Sequence, residues 1–264
     1  MSGLKINAIL FDLDGTLYLG ENLIPNADLA VNQLREAGFS VAFLTNKPTA
    51  SPRSYATKLT GLGIHADGSD VITSVRLTCD YLETNHPDAR IFVVGESYLS
   101  DTLGERGFIA ATLPEQTDVV ILSLDRHFDY GKLDYAFKAV KSGARVIATN
   151  PDAICPMADG DIIDAGAWIA ALEVLIKRPI DAVLGKPSSR CAQLALSVLG
   201  CQPEEVLMVG DRMETDMRMA REAGMKAALV LSGVTTQSEA DLADPRPDFV
   251  LQSVADLPTV LGLT

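Results

Sequence analysis

The sequence is poor in positive charge, in paired cysteines and in long apolar runs, and each scarcity removes a class of protein. Its 264 residues carry 22 Lys and Arg against 35 Asp and Glu, a net charge of −13. Such an acid excess repels nucleic-acid phosphates and anionic membrane surfaces, so neither is expected as a partner. The four cysteines, Cys79, Cys155, Cys191 and Cys201, form no C-x-x-C pair. A chain long enough to bury its own core needs no disulfide framework, so reduced thiols and a cytoplasmic setting are expected. No cysteine is followed six positions later by arginine, which removes the C-x₅-R type of cysteine nucleophile. His65, His86 and His127 are scattered without zinc-like spacing. No stretch approaches bilayer length, and the chain runs through a short apolar segment into Asp12 without the pattern of a secretory signal.

What is present is a regular alternation of strand-length and helix-length patterns. Ile6–Phe11 is a short apolar run. Ala27–Ala37 then places Ala27, Ala30, Val31, Leu34 and Ala37 on one helical face before a stop at Gly38. Val41–Thr45 reads as the next strand, Ser51-Pro52 as an N-cap with proline in the first turn, and Val71-Ile72 as a brief third strand. The rhythm resumes with strand Ala182–Leu184, helix Cys191–Leu199, strand Val206–Val209, helix Thr215–Ala223, and strands Ala227–Leu231 and Phe249–Leu251. This is the pattern of an α/β fold whose parallel sheet is covered by helices on both faces. Between the two halves, strands are predicted at Ile91–Val94, Val119–Leu122 and Val146–Ala148. Helices are predicted at Val75–Glu83, Ser97–Glu105, Lys132–Lys141 and Gly166–Ile176, the last read as a buried apolar helix. The intervening stretch has the size of a domain. The predicted division is a split core, residues 1–77 and 181–264, around an inserted αβ domain of residues 78–180.

The sharpest feature is Phe11-Asp12-Leu13-Asp14-Gly15-Thr16-Leu17, directly after the first strand. In open parallel sheets, ligands sit beyond the carboxyl ends of strands. Asp12 and Asp14, two apart in extended chain, point to the same side. Close carboxylates repel, so such a pair requires a cation or a proton. Gly15 and Thr16 permit a tight turn whose N–H groups can face an anion. An Asp-Gly turn closing a strand explains Asp14-Gly15 alone, but not the whole run.

Phe11–Leu17 resembles the first motif of the haloacid dehalogenase (HAD) superfamily, and three further segments match in the expected order. Leu44-Thr45-Asn46, Gly185-Lys186-Pro187 and Val209–Asp216 resemble the second, third and fourth motifs. Singly, these could be a turn pair, a surface lysine and a helix N-cap. Together, all four fall at the carboxyl ends of predicted strands. Ala148–Asp152, Gly210–Asp216, Val230–Thr235 and Arg246–Phe249 narrow the resemblance to the NagD-like, or para-nitrophenylphosphatase-like, branch. That branch carries a large αβ cap between its second and third motifs, where the insertion is predicted here.

The resemblance implies a Rossmann-like core and a Mg²⁺-dependent phosphatase acting on a small phosphorylated metabolite: a sugar, polyol or nucleotide phosphate, or pyridoxal phosphate. Asp12 is implied as the nucleophile, forming an aspartyl-phosphate, and Asp14 as general acid and then base. For Asp14 to donate a proton near neutrality, its pKa must lie above the usual ~4. Thr45, Asn46 and Lys186 are implied at the phosphate. Asp12, Asp211 and the backbone carbonyl of Asp14 would hold the metal. Asp216 would orient Lys186 or a metal-bound water. Asp14 also separates this chain from dehalogenases, which do not need the second acid, and from the superfamily's ATPases, which carry threonine there. A phosphomutase, or a phosphometabolite-binding protein without turnover, are the alternatives. Substrate choice belongs to the cap, where Ile163-Asp164-Ala165-Gly166 stands in place of the branch's usual Pro-Gly-x-Gly turn. Asn150, Asp152, Asp164 and Trp168 are the candidates there, Trp168 being equally a candidate for cap core. Caps of this branch often dimerise, so a homodimer through the cap is a further expectation.

Overall fold

The computed structural model describes residues 6–157 and 160–263. Two parallel sheets organise the chain. The first has six strands in the order Phe249–Leu251, Lys226–Val230, Val206–Gly210, Ala8–Asp12, Ser40–Thr45 and Val71–Thr73. The second has five, in the order Ala182–Val183, Arg145–Ala148, Val119–Leu122, Arg90–Val94 and Ile109–Ala110. The strands of the second sheet all fall between those that build the first, as the expected insertion requires.

Every residue of Ala8–Asp12 and Val206–Gly210 is buried, as central parallel strands covered on both faces must be. Alternate residues feed different cores. Leu10, Leu44 and Met208 pack into one apolar cluster that continues through Ile91, Ile121 and Ile147 of the second sheet. Ile9, Phe11, Phe43 and Val209 face the opposite cluster, beneath Val31, Leu34 and Leu59. The helices begin and end where side-chain chemistry places them. Ser51 Oγ accepts from Ser54 N at the start of Pro52–Gly61, and Ser188 Oγ accepts from Cys191 N at the start of Ser189–Leu199. Among the described residues, no helix is long and apolar enough to cross a membrane. All four cysteines are free.

Two sequence expectations are corrected. The sequence rhythm groups the strand at Ala182–Leu184 with the outer segments, but Ala182–Val183 pairs with Ile147 and Ala148 of the second sheet. Its short run is satisfied by the neighbour that the inserted segment offers. The apolar helix, observed at Ala165–Ile176, is also only half-buried. Leu172 packs against the second sheet with Trp168, Ile169 and Ile176, while Val174 and Leu175 are 77% and 44% exposed. The helix covers the sheet on one side, and its other side faces solvent.

Candidate active site

Parallel register brings the motifs together. Asp12 stands opposite Leu44, and Phe11 opposite Val209, so the chain leaves three adjacent strands at one edge. There it presents Asp12 and Asp14, then Thr45 and Asn46, then Asp211. The second sheet reaches the same place because two of its neighbouring strands run out toward it. After the Val183–Ala148 pairing, Gly185 N donates to Thr149 O at 2.8 Å. Lys186 is thereby delivered beside Asn150 and Asp152.

The fourth motif is not the plain helix start that the sequence suggests. Met213–Met217 forms a π-helical turn before helix Arg218–Ala223, and it buries both Thr215 and Asp216. Widened turns of this kind re-aim side chains and recur at functional sites. Glycine makes the close approach possible. Gly15 has φ +87°, and a Cβ there or at Gly233 would run into the Asp211 carboxylate.

Lys186 is 3% exposed. Its ammonium donates to Asp12 Oδ1 and lies 2.7 Å from Asp216 Oδ1. Burial alone would lower the lysine pKa, but the Asp12 and Asp216 charges outweigh it and raise the pKa. Asp216 Oδ2 also accepts from Arg212 N at 3.1 Å. Burial pushes the Asp216 carboxyl up to about 6 despite Lys186. Asp211 is raised well above the ordinary range, by burial first and then by Asp12 and Asp216. Its Oδ2 accepts from Val234 N at 2.8 Å.

Oxygens of Asp12, Asp211 and Asp216 lie within 4.8 Å of one another, and Asp211 Oδ1 is buried without a hydrogen-bond donor. Clustered, desolvated hard oxygens with an unmet lone pair suit a divalent cation. Asp14 is brought to the same cavity, but its side chain turns away from this cluster. Its Oδ1 accepts from Lys47 Nζ at 3.2 Å, and its Oδ2 is buried without a donor.

Thr45 is buried and lines the cavity with Asp12, Asp14, Asn46 and Lys186. The Asn46 side chain is fully engaged. Its Oδ1 accepts from Lys186 N at 2.8 Å, and its Nδ2 donates to Lys186 O and to Asp152 Oδ2 at 3.2 and 2.9 Å. No amide hydrogen of that side chain remains for a phosphoryl oxygen in this arrangement.

The candidates from the inserted segment divide. Asp152 and Asp164 line the same cavity, with Pro156 and with Ile154 and Cys155, a two-residue strand that pairs antiparallel with Ile162–Ile163 to form a short hairpin. Asn150 is buried behind it, donating to Asn46 O at 3.2 Å. Trp168 does not line it; the indole is partly buried and stacks on Phe128 with ring centroids 3.8 Å apart, packed against the apolar cluster of the second sheet. Of its two readings, cap core is the one that the packing shows.

Two cations that line this cavity are absent from the sequence-based candidates. Lys47 follows Asn46 directly and pairs with Asp14. Arg212 follows Asp211, lies 3.7 Å from Asp152 Oδ1 and donates to Ile154 O at 3.0 Å. A cation immediately after a strand-end motif residue was the available signal for both.

A haloacid dehalogenase-like hydrolase model matches residues 9–109, and a HAD-hydrolase-like model matches residues 183–257. The sugar-phosphatase AraL of Bacillus subtilis is 37% identical over 94% of this chain and 91% of its own length. The chain belongs to the haloacid dehalogenase-like hydrolase family. An acid sugar phosphatase of Staphylococcus aureus is another relative, 33% identical over 93% of this chain and 94% of its own. Among solved structures, a 4-nitrophenylphosphatase from Thermotoga maritima superposes on this HAD hydrolase with a TM-score of 0.89, at 31% identity and 98% coverage of both chains. NagD from E. coli K-12 superposes with a TM-score of 0.83, at 30% identity, covering 96% of this chain and 98% of NagD. These neighbours place the HAD hydrolase in the NagD-like branch.

Proposed function

We propose that this enzyme is a Mg²⁺-dependent phosphatase that hydrolyses small phosphomonoesters through a phosphoryl group carried transiently on Asp12. The observation that carries the reading is the buried Lys186 ammonium bound between Asp12 and Asp216, with Thr45 and Asp14 on the same cavity. Asp12 attacks phosphorus, and the ester oxygen leaves with the proton of Asp14. Asp14 then takes a proton from the water that cleaves the aspartyl-phosphate, regenerating both acids. Carboxylate is a weak nucleophile toward a phosphate dianion, so neutralising charge is the main catalytic task. Lys186 meets part of it at the phosphoryl oxygens and Asp12, and Thr45 donates its hydroxyl there. Asn46 contributes by fixing the Lys186 backbone, and Asp216 by orienting the ammonium. Asp12, Asp211 and the Asp14 carbonyl would hold Mg²⁺, which when bound supplies the remaining positive charge.

The names of the relatives favour sugar phosphates within the broader class of sugar, polyol and nucleotide phosphates and pyridoxal phosphate. The segment carrying the second sheet acts as cap, in a cytoplasmic enzyme. Its homodimer forms through the cap, a reading supported by the exposed Val174 and Leu175. A phosphomonoester screen with and without Mg²⁺, using Asp12→Asn as control, tests the function. The expected result is metal-dependent phosphate release that the variant lacks. No release from any ester contradicts it, and an isomeric phosphate product would mark a mutase instead.

A further inference from the structure

Four carboxylates line the catalytic cavity, Asp12, Asp14, Asp152 and Asp164, against three cations, Lys47, Lys186 and Arg212. Each cation already has a carboxylate: Lys186 has Asp12, Lys47 has Asp14 and Arg212 has Asp152. Asp164 is left over; among the described residues, no lysine or arginine lies within ion-pair distance of it. It is 3% exposed, and burial pushes its carboxyl up to about 7. A buried carboxylate is costly where no cation pairs with it.

Capping the helix does not require that charge. Asp164 Oδ1 accepts from Ala165 N at 2.6 Å. The next donors are met by backbone, Gly166 N by Asp152 O at 2.8 Å and Ala167 N by Asp164 O at 3.1 Å. Asparagine or serine would cap as well. The position is also rigid: Asp164 N donates to Ala153 O at 2.9 Å, and a Cβ at Gly166 would meet the backbone of Pro151–Ala153.

The geometry points to Asp164 as the residue that selects the leaving group by charge: it accepts a hydrogen bond from a neutral hydroxyl-bearing leaving group and repels one that carries a carboxylate or a second phosphate. This rests on the phosphatase reading. Lys47 and Arg212 offset this repulsion only in part, because each is shared with another carboxylate, Asp14 and Asp152.

The test uses two esters of one carbon skeleton, terminal glycerol phosphate and phosphoglycerate, which differ by a hydroxymethyl against a carboxylate. Each is titrated at pH 8, where Asp164 is ionised, as a competitive inhibitor of p-nitrophenyl phosphate hydrolysis in Mg²⁺, with wild type, Asp164→Asn and Asp164→Ser. The wild type should bind glycerol phosphate more tightly by about tenfold or more, and both variants should shrink that preference by about tenfold. Melting temperatures of the variants should not fall, since both residues cap. An unchanged preference in the variants, or tighter phosphoglycerate binding by the wild type, overturns the assignment and leaves Asp164 a helix cap. Failure of the wild type to hydrolyse p-nitrophenyl phosphate at all overturns the phosphatase reading, and this proposal with it.

Discussion

Replacing Asp164 by asparagine removes a buried charge while keeping a helix cap, so its effect on stability depends on pH in a defined way. The native environment raises this carboxyl from 3.8 to about 7, through burial first and the neighbouring Asp152 charge second. The folded chain therefore binds the proton more tightly than the unfolded chain does. Asp164 is compatible with folding when protonated, and stability is lost as pH rises from about 4 to about 7. Three pH units at about 1.4 kcal/mol each set a ceiling of about 4 kcal/mol. Part of that loss has already occurred at pH 5, because the unfolded side chain ionises there. Asparagine titrates nowhere in this range. The variant should gain on wild type by about 3 kcal/mol between pH 5 and pH 8. Urea denaturation of both proteins in EDTA at the two pH values measures this double difference. A change below about 0.5 kcal/mol would mean that Asp164 ionises near its ordinary pKa, and that its burial imposes no penalty.

Two further outcomes follow from the packing. Lys186→Met leaves Asp12, Asp211 and Asp216 buried together without their ammonium; denaturation in EDTA should show a loss of about 3–5 kcal/mol, partly regained with Mg²⁺, and turnover should fall by about 10²–10³ or more. Trp168→Leu breaks the stack on Phe128, so the melting temperature should drop while kcat/KM for p-nitrophenyl phosphate stays near the wild-type value; a selective rise in KM would return Trp168 to the substrate site.

The fold was legible wherever a local rule and the tertiary contacts agree. The helix face of Ala27, Ala30, Val31 and Leu34 and the strand Phe249–Leu251 stand where periodicity puts them. Local pattern says nothing about which neighbour a short strand will pair with. Ala182–Val183 has two residues of sheet to offer and joins Arg145–Ala148, far from it in sequence. Apolar content likewise does not state how many sides of a helix will be covered, which is why Gly166–Ile176 reads as buried from sequence.

The convergence of Asp12, Asp14, Thr45 and Lys186 on one cavity was legible because each lies at or shortly beyond the end of a strand whose register the parallel sheets fix. The engagement of Asn46 with Asp152, and the pairings of Lys47 and Arg212, were not legible. The Asp152 and Ile154 contacts depend on how closely that segment approaches the first sheet, and the Lys47–Asp14 pair on the reach of two loops of that sheet; no sequence interval encodes either distance. The −13 charge, which on its own only disfavoured polyanionic partners, acquires a local meaning here. Asp12, Asp211 and Asp216 concentrate acid where a divalent cation fits.

The central claim is that Asp12 itself takes the phosphoryl group. Acid quenching of the enzyme during steady-state hydrolysis of a phosphate-labelled ester in Mg²⁺, followed by borohydride reduction and peptide mass analysis, tests it most directly. The prediction is label on a carboxyl and conversion of Asp12 to homoserine, absent in Asp12→Asn and in EDTA. Sustained hydrolysis with position 12 unmodified would contradict the account.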